Sequence, residues 1–457
     1  MVSRRRTRRI TGGVVTAVAV GLLAGCVPGT SGVDSANSAG EGAVATDPAT
    51  MGKVTLKVLD TFSGGTDNAW MTDVVGAFEK KYPNITIKRT PMSWGDAMAA
   101  LPLKLKSDNA PDIVPPNNGW QSMGTLVRGG LLLNLDRYAK AYGWTKSVPQ
   151  SILSEHEFST DAKQMGTGSV FGMPVARASL LEVYYNRSLL KQIGAEVPAT
   201  LAEFQDDLSK AKAAGITPIA VGNSDQNGVT QTLYSLMNSL GEQGRISDFV
   251  YSHNDVGITE TGFPKAVSTF KQWSDKGYMT KDYAGVASAD ATQSFVNGKG
   301  LFHFDYSGSL PLKTGQSKNF GSFVLPRADG GEAVATASSA ANFSISSKTE
   351  HPDAAAAFVD FAAGEQAAEL AVQNGTMPLL HDVKAPGGDP LLADDVAIAQ
   401  SISRNGTSVP YLDWATPTLY TTINTSMQSM LAGRTPQEAV VTAAERDATA
   451  YAKTLGR

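Results

Sequence analysis

From Val54 onward, short apolar strands alternate with amphipathic helices, and this alternation restricts the chain to an α/β architecture. Val54-Thr55-Leu56-Lys57-Val58-Leu59 alternates as a half-buried strand does, and Ser63-Gly64-Gly65 turns the chain after it. Trp70, Val74 and Phe78 then recur at helical spacing as far as Tyr82-Pro83. Ile85-Thr86-Ile87-Lys88 reads as the next strand, and a helix is predicted across 97–106, kinked or broken at Pro102. Pro111-Asp112-Ile113-Val114 is a further short, buried strand. Strand and helix repeating at this spacing place helices on a mainly parallel sheet.

The same pattern returns in the second half. Thr200 with Glu203 forms a capping-box pattern, opening a helix that runs through Lys212 and stops at Gly215. The segment 216–221 is predicted as a strand directly after it. A helix is predicted from His351-Pro352 through Phe358 and Phe361 to about Val372. Thr435, Pro436 and Glu438 mark the start of the C-terminal helix. With 457 residues and a βα pattern in both halves, the chain is expected to build two α/β domains plus extras.

The N-terminus belongs to neither domain. Residues 1–25 hold five arginines and no acid, and the apolar stretch 14–24 is too short to span a bilayer. Leu23-Ala24-Gly25-Cys26 closes this signal peptide and resembles the bacterial lipobox. That resemblance implies lipid on Cys26 and an anchor at the outer face of the cell membrane. Residues 26–53 are rich in Gly, Ser, Ala and Thr, the composition of a flexible tether. Without the leader, the 39 basic residues fall to 34 against 43 acidic ones, a balance that argues against nucleic acid as a partner. A single cysteine excludes a disulfide framework and a cysteine-type zinc site.

Catalytic signatures are missing from the sequence. The five histidines form no His-Glu-x-x-His pattern, and there is no Gly-x-Ser-x-Gly elbow, Walker loop or dinucleotide glycine turn. His303, inside Leu301-Phe302-His303-Phe304, reads as a structural strand residue. No metal, cofactor or enzymatic activity is expected. What stands out is a set of polar and aromatic loops, three of them after strands: Asn117-Asn118-Gly119-Trp120, Asn223-Ser224-Asp225-Gln226-Asn227 and Asp305-Tyr306-Ser307-Gly308. A fourth, Tyr411-Leu412-Asp413-Trp414, lies in a Pro-flanked loop. Ligands of open α/β sheets bind at the carboxyl ends of strands. Flat aromatic faces beside planar hydrogen-bonding groups suit a sugar, which has an apolar C–H face and a rim of hydroxyls.

Several ordered motifs resemble one family. Ala110-Pro111-Asp112-Ile113-Val114 and Gly129-Gly130-Leu131-Leu132-Leu133-Asn134-Leu135-Asp136 come first. Val170-Phe171-Gly172-Met173-Pro174, Val183-Tyr184-Tyr185-Asn186-Arg187 and Pro198-Ala199-Thr200-Leu201-Ala202-Glu203-Phe204 follow. Phe295-Val296-Asn297-Gly298-Lys299-Gly300, Ile345-Ser346-Ser347 and His351-Pro352-Asp353-Ala354-Ala355 complete the series. From Val54 to the C-terminus the chain resembles the extracellular solute-binding proteins of ABC importers, family 1, the maltose-binding and multiple-sugar-binding group.

The resemblance implies a two-lobed periplasmic-binding-protein-like fold of type II, with the ligand cleft between lobes joined by hinge strands. One lobe is expected at 54–175 plus 325–375 and the other at 176–324 plus 376–457. It implies ligand contacts from Asn117, Asn118, Trp120, Arg177, Asn223, Gln226, Asp305, Tyr306, Tyr411, Asp413 and Trp414, with Trp94 and Asp60 as lesser candidates. Arg177 stands near where the maltose-type group tends to carry an acid, which leaves room for an acidic or amidated ligand. The expected function is a lipid-anchored, monomeric solute-binding component that captures a carbohydrate and delivers it to a membrane permease. A polyamine, a peptide or another polar metabolite is the alternative solute, and an extracytoplasmic glycan hydrolase is the more distant alternative.

Overall fold

The computed structural model describes residues 43–225, 228–339, 341–385 and 387–457. The signal segment, Cys26, most of the tether and Gln226 lie outside the described residues.

Two five-stranded sheets organise the chain. In the first, β1 (Val54–Asp60) pairs in parallel with β2 (Ile85–Pro91), from Val54 opposite Ile85 to Asp60 opposite Pro91. On its other side β1 meets β3 (Ile113–Val114), also parallel. The small hairpin of β4 (Glu157–Phe158) and β5 (Ser169–Val170) stands apart. The order of the first sheet ends with β6 (Met173–Pro174), which reaches β3 only through a late strand, β11 (Asn342–Ile345), antiparallel to both.

The second sheet is built on β7 (Ala178–Asn186). It pairs antiparallel with β8 (Phe302–Tyr306), β9 (Phe320–Phe323) and β10 (Ala335–Ser339). Only β12 (Ser408–Val409) joins in parallel, along β10. This sheet is therefore mostly antiparallel, not the mainly parallel sheet that the helix–strand alternation predicts. Antiparallel neighbours need no crossover helix of fixed hand, so β7 can serve three partners reached by long excursions.

The chain changes sheet between β6 and β7 and between β10 and β11, and it returns to the second sheet before β12. A later segment passes the first crossing, where the Ala178 amide donates to the Met377 carbonyl at 3.0 Å.

The first sheet is covered by the helix Gly65–Lys81, whose Trp70, Val74 and Phe78 are fully buried. Phe78 meets Phe358 edge-on at 5.1 Å, and the Trp70 indole N–H donates to the Ala367 carbonyl at 2.9 Å. Each buried aromatic of this kind adds roughly 1.5–3 kcal/mol of transfer free energy.

Four local expectations change. The helix Trp94–Lys106 runs unbroken across Pro102. The segment 216–221 forms only isolated bridges, at Ile219 to Met279 and to Phe302, because Pro218 has no N–H to donate to a ladder. The helix beginning at Pro352 breaks at Gly364, whose ψ of 171° is extended, and resumes as Glu365–Gln373. At the C-terminus the helix starts at Glu438, and the Thr435 hydroxyl makes no hydrogen bond. By contrast, Thr200 caps its helix by accepting from the Glu203 amide at 3.1 Å, while the Glu203 carboxylate takes the Ala199 amide.

Candidate functional site

A cleft of about 690 Å³ opens between the two sheets. From the first sheet, the loops that leave β1 and β3 contribute Thr61 and the run Pro115-Pro116-Asn117-Asn118, and Trp94, Gln121 and Asn342 line the same side. These are carboxyl ends of parallel strands, where loops diverge and leave room for a ligand. From the other side come Asp225, Thr230, Tyr234, Tyr306, Tyr411, Asp413, Trp414 and Tyr420. Ser179, Ser338 and Ser339 line it from the strand ends at the two crossings.

Aromatic faces concentrate on one side. Tyr411 lies 5.1 Å from Trp414, 6.3 Å from Tyr306 and 6.5 Å from Tyr234 by ring centroids. Trp94, in the first turn of its helix, is 55% exposed and is the one tryptophan among the described residues whose face is open to solvent. A large aromatic left exposed at a cleft lip has lost burial free energy that a stacked ligand restores.

Asp413 provides the ionisable group at the centre of the polar lining. Tyr234 donates its hydroxyl to one carboxylate oxygen at 2.8 Å, and the Gln121 amide donates to the other at 3.0 Å. Burial pushes this carboxyl up to about 6, while the two donors hold it down. Asn118 is fixed from behind. Its amide donates to Glu155 at 3.1 Å, and its carbonyl oxygen accepts from Asn342. Asn342 also donates to the Pro116 carbonyl at 2.6 Å, so the cleft-floor amides are oriented by the fold and not by solvent. Glu155 is itself buried, and burial raises its carboxyl well above the usual range.

Seven expected residues therefore line the cleft together: Trp94, Asn117, Asn118, Tyr306, Tyr411, Asp413 and Trp414. Others do not. Trp120 is 1% exposed and packs edge-on against Phe158 and Tyr451, so it is core. Arg177 is buried and held by Asp67 at 2.7 Å, outside the lining. Asn223 is buried, its backbone N–H donating to the Tyr283 carbonyl, and Asp225 two residues on reaches the cleft instead. Asp305 accepts from its neighbour Tyr306's amide at 2.8 Å and contacts His303 at 3.2 Å; it faces away. Asp60 is buried against Arg89 at 2.8 Å, where it shapes the loop that carries Thr61. His303 is structural, its Nδ1 lying 2.8 Å from the Ala220 carbonyl.

The loop reading missed Tyr234, Thr230, Tyr420, Gln121 and Asn342. Tyr234 and Tyr420 sit inside helices, Gly228–Leu240 and Leu419–Leu431, where apolar periodicity makes a tyrosine read as core. One signal was present for Thr230: it lies in the first turn of a helix that follows a polar loop.

Comparisons with known proteins agree with this architecture. Residues 63–369 match the profile of the bacterial extracellular solute-binding proteins. The multiple sugar-binding protein of Streptococcus mutans is 26% identical over 306 residues, spanning 64% of this chain and 68% of its own length. The maltodextrin-binding protein of Bacillus subtilis is 24% identical over 317 residues, 68% of this chain and 70% of its own. Among solved structures, a chitin oligosaccharide binding protein superposes with a TM-score of 0.71 at 20% identity, covering 88% of this chain and all of that one (100%); the likeness is one of fold.

Proposed function

This chain belongs to the bacterial extracellular solute-binding proteins, and from that premise we propose that its cleft captures a carbohydrate for delivery to an ABC permease. The observation that carries the reading is the lining itself: Tyr411, Trp414 and Tyr306 beside fixed amides and the Asp413 carboxylate, with the open face of Trp94 on the other lip. Pyranose C–H faces stack on such rings, and their hydroxyls both donate to carboxylates and accept from amides.

Capture proceeds by closure. We take the lobes as 54–175 plus 325–375 against 176–324 plus 376–457, as the resemblance implies; the pairing of β10 with β7 supports a return crossing after 339. The solute binds the closed arrangement better and shifts the population towards it. Lipid on Cys26 and the 26–53 tether hold the trap near its permease, raising effective concentration without a fixed contact. The protein works as a monomer and leaves its solute chemically unchanged.

A thermal-shift and calorimetric screen of sugars, polyamines and peptides tests the proposal. Saturable binding of a carbohydrate at micromolar affinity, about −8 kcal/mol, is the expected result. Binding restricted to polyamines or peptides, or turnover of an oligosaccharide, would overturn it.

A further inference from the structure

The charge lining the cleft has one sign. Among the described residues that line it, Asp225 and Asp413 are the carboxylates, and none is a lysine, arginine or histidine. Arg177, the cation that the sequence places nearby, is engaged by Asp67 at 2.7 Å and stands outside the lining.

The two acids are not equivalent. Asp225 is exposed and accepts the Ser288 hydroxyl at 2.7 Å and the Ser288 amide at 3.1 Å, which occupies it as a cap for the helix Ser288–Val296. Asp413 is 7% exposed, and its hydrogen-bond donors are all neutral: the Tyr234 phenol on one oxygen, the Gln121 amide on the other, and its own backbone amide. A carboxylate can accept about four donors, so room remains for one from the solute.

Resting on the carbohydrate reading, we infer that the cleft sorts carbohydrates by charge, excluding uronic and phosphorylated sugars and holding a basic nitrogen of the solute against Asp413. Lobe closure removes water from a carboxylate that has no cation beside it. A buried charge of this kind is stabilised most by an opposite charge with hydrogen-bonding geometry. A hydroxyl also donates to the carboxylate, but it brings no opposite charge to offset the one that closure buries. An anionic sugar sets a like charge within a few ångströms in a medium of lowered dielectric, where repulsion is several-fold larger than in water. The present desolvation of Asp413, which already raises its carboxyl, shows the direction in which closure acts.

The test uses the purified mature protein and α- and β-linked glucose and galactose disaccharides, each in hydroxyl, amino and uronic form, titrated calorimetrically at about pH 7.5. In the series that binds, the amino form is expected about tenfold tighter than the hydroxyl form and the uronic form about tenfold weaker. Asp413→Asn, checked for its fold by circular dichroism, brings the hydroxyl and amino forms to within about threefold of each other. The wild-type order decides the charge sorting without any variant: a uronic form that matches the hydroxyl form, or an amino form no tighter than it, overturns the proposal. An amino preference that survives in Asp413→Asn removes Asp413 as its source. Failure of every form in every series instead strikes the carbohydrate reading, and this proposal with it.

Discussion

Tyr234 donates its phenolic hydroxyl to Asp413 over 2.8 Å, and this bond ties the helix Gly228–Leu240 to the loop that carries Trp414. The carboxylate is thereby held facing the cleft although burial disfavours its charge. Removing one donor from a charged, buried acceptor costs roughly 1.5–3 kcal/mol. Tyr234→Phe is expected to lower solute affinity about tenfold with near-native secondary structure. Calorimetric titration beside circular dichroism measures both, and an unchanged affinity would detach Asp413 from recognition.

Trp414→Ala keeps the backbone carbonyl that accepts the Trp120 amide at 3.0 Å, and keeps the Cβ that packs by Gly119. It deletes the ring that lies 5.1 Å from Tyr411, tilted 43° to it. Loss of a stacking face is expected to weaken binding by about tenfold or more while the fold persists. Equilibrium titration of the variant against wild type decides it.

Gly119 has φ +82°, and a Cβ built there would lie 2.4 Å from the Trp414 Cβ. Both facts forbid a side chain: the conformation is left-handed and the space is taken. Gly119→Ala is predicted to destabilise by about 2 kcal/mol or more and to displace the loop carrying Asn117 and Asn118, lowering affinity as well. Urea unfolding together with a binding titration would show the two losses in parallel; a stable variant with weak binding alone would contradict the steric account.

His156 is fully buried, its Nδ1 lying 3.0 Å from the Ile152 carbonyl and its Nε2 without a partner. Burial pushes the imidazole down to about 4. An unfolded histidine titrates near 6.5, so between these values the unfolded chain binds the extra proton and stability rises with pH. The contribution is complete above about pH 6.5 and falls by about 3 kcal/mol as pH drops through 4. The neighbouring Glu155, raised by burial, acts in the opposite sense. Urea midpoints at about pH 5 and pH 7 are expected to converge in His156→Asn relative to wild type. Equal pH slopes in the two proteins would refute the assignment.

The sequence by itself determined the elements whose signals are local. Leu56 and Val58 alternate with polar neighbours, Trp70, Val74 and Phe78 keep helical spacing, and Thr200 stands where a cap must stand; each became what it reads as. The loop Tyr411–Trp414 was legible because aromatic and acidic residues stand together there outside any helical or strand periodicity, although Leu412 and Trp414 are also buried. Tertiary structure decided the rest. Trp120 and Trp414 are both loop tryptophans in sequence, yet one is sealed against Phe158 and Tyr451 while the other lines the cleft. Arg177 was drawn to Asp67, a residue 110 positions earlier, and Tyr234 to Asp413, 179 positions later. Which side of a loop faces a partner depends on what distant segments bring against it, and no local pattern encodes that. The charge of the cleft follows from those pairings: the arginine was neutralised elsewhere, and the aspartate was left lining the cleft with neutral donors alone.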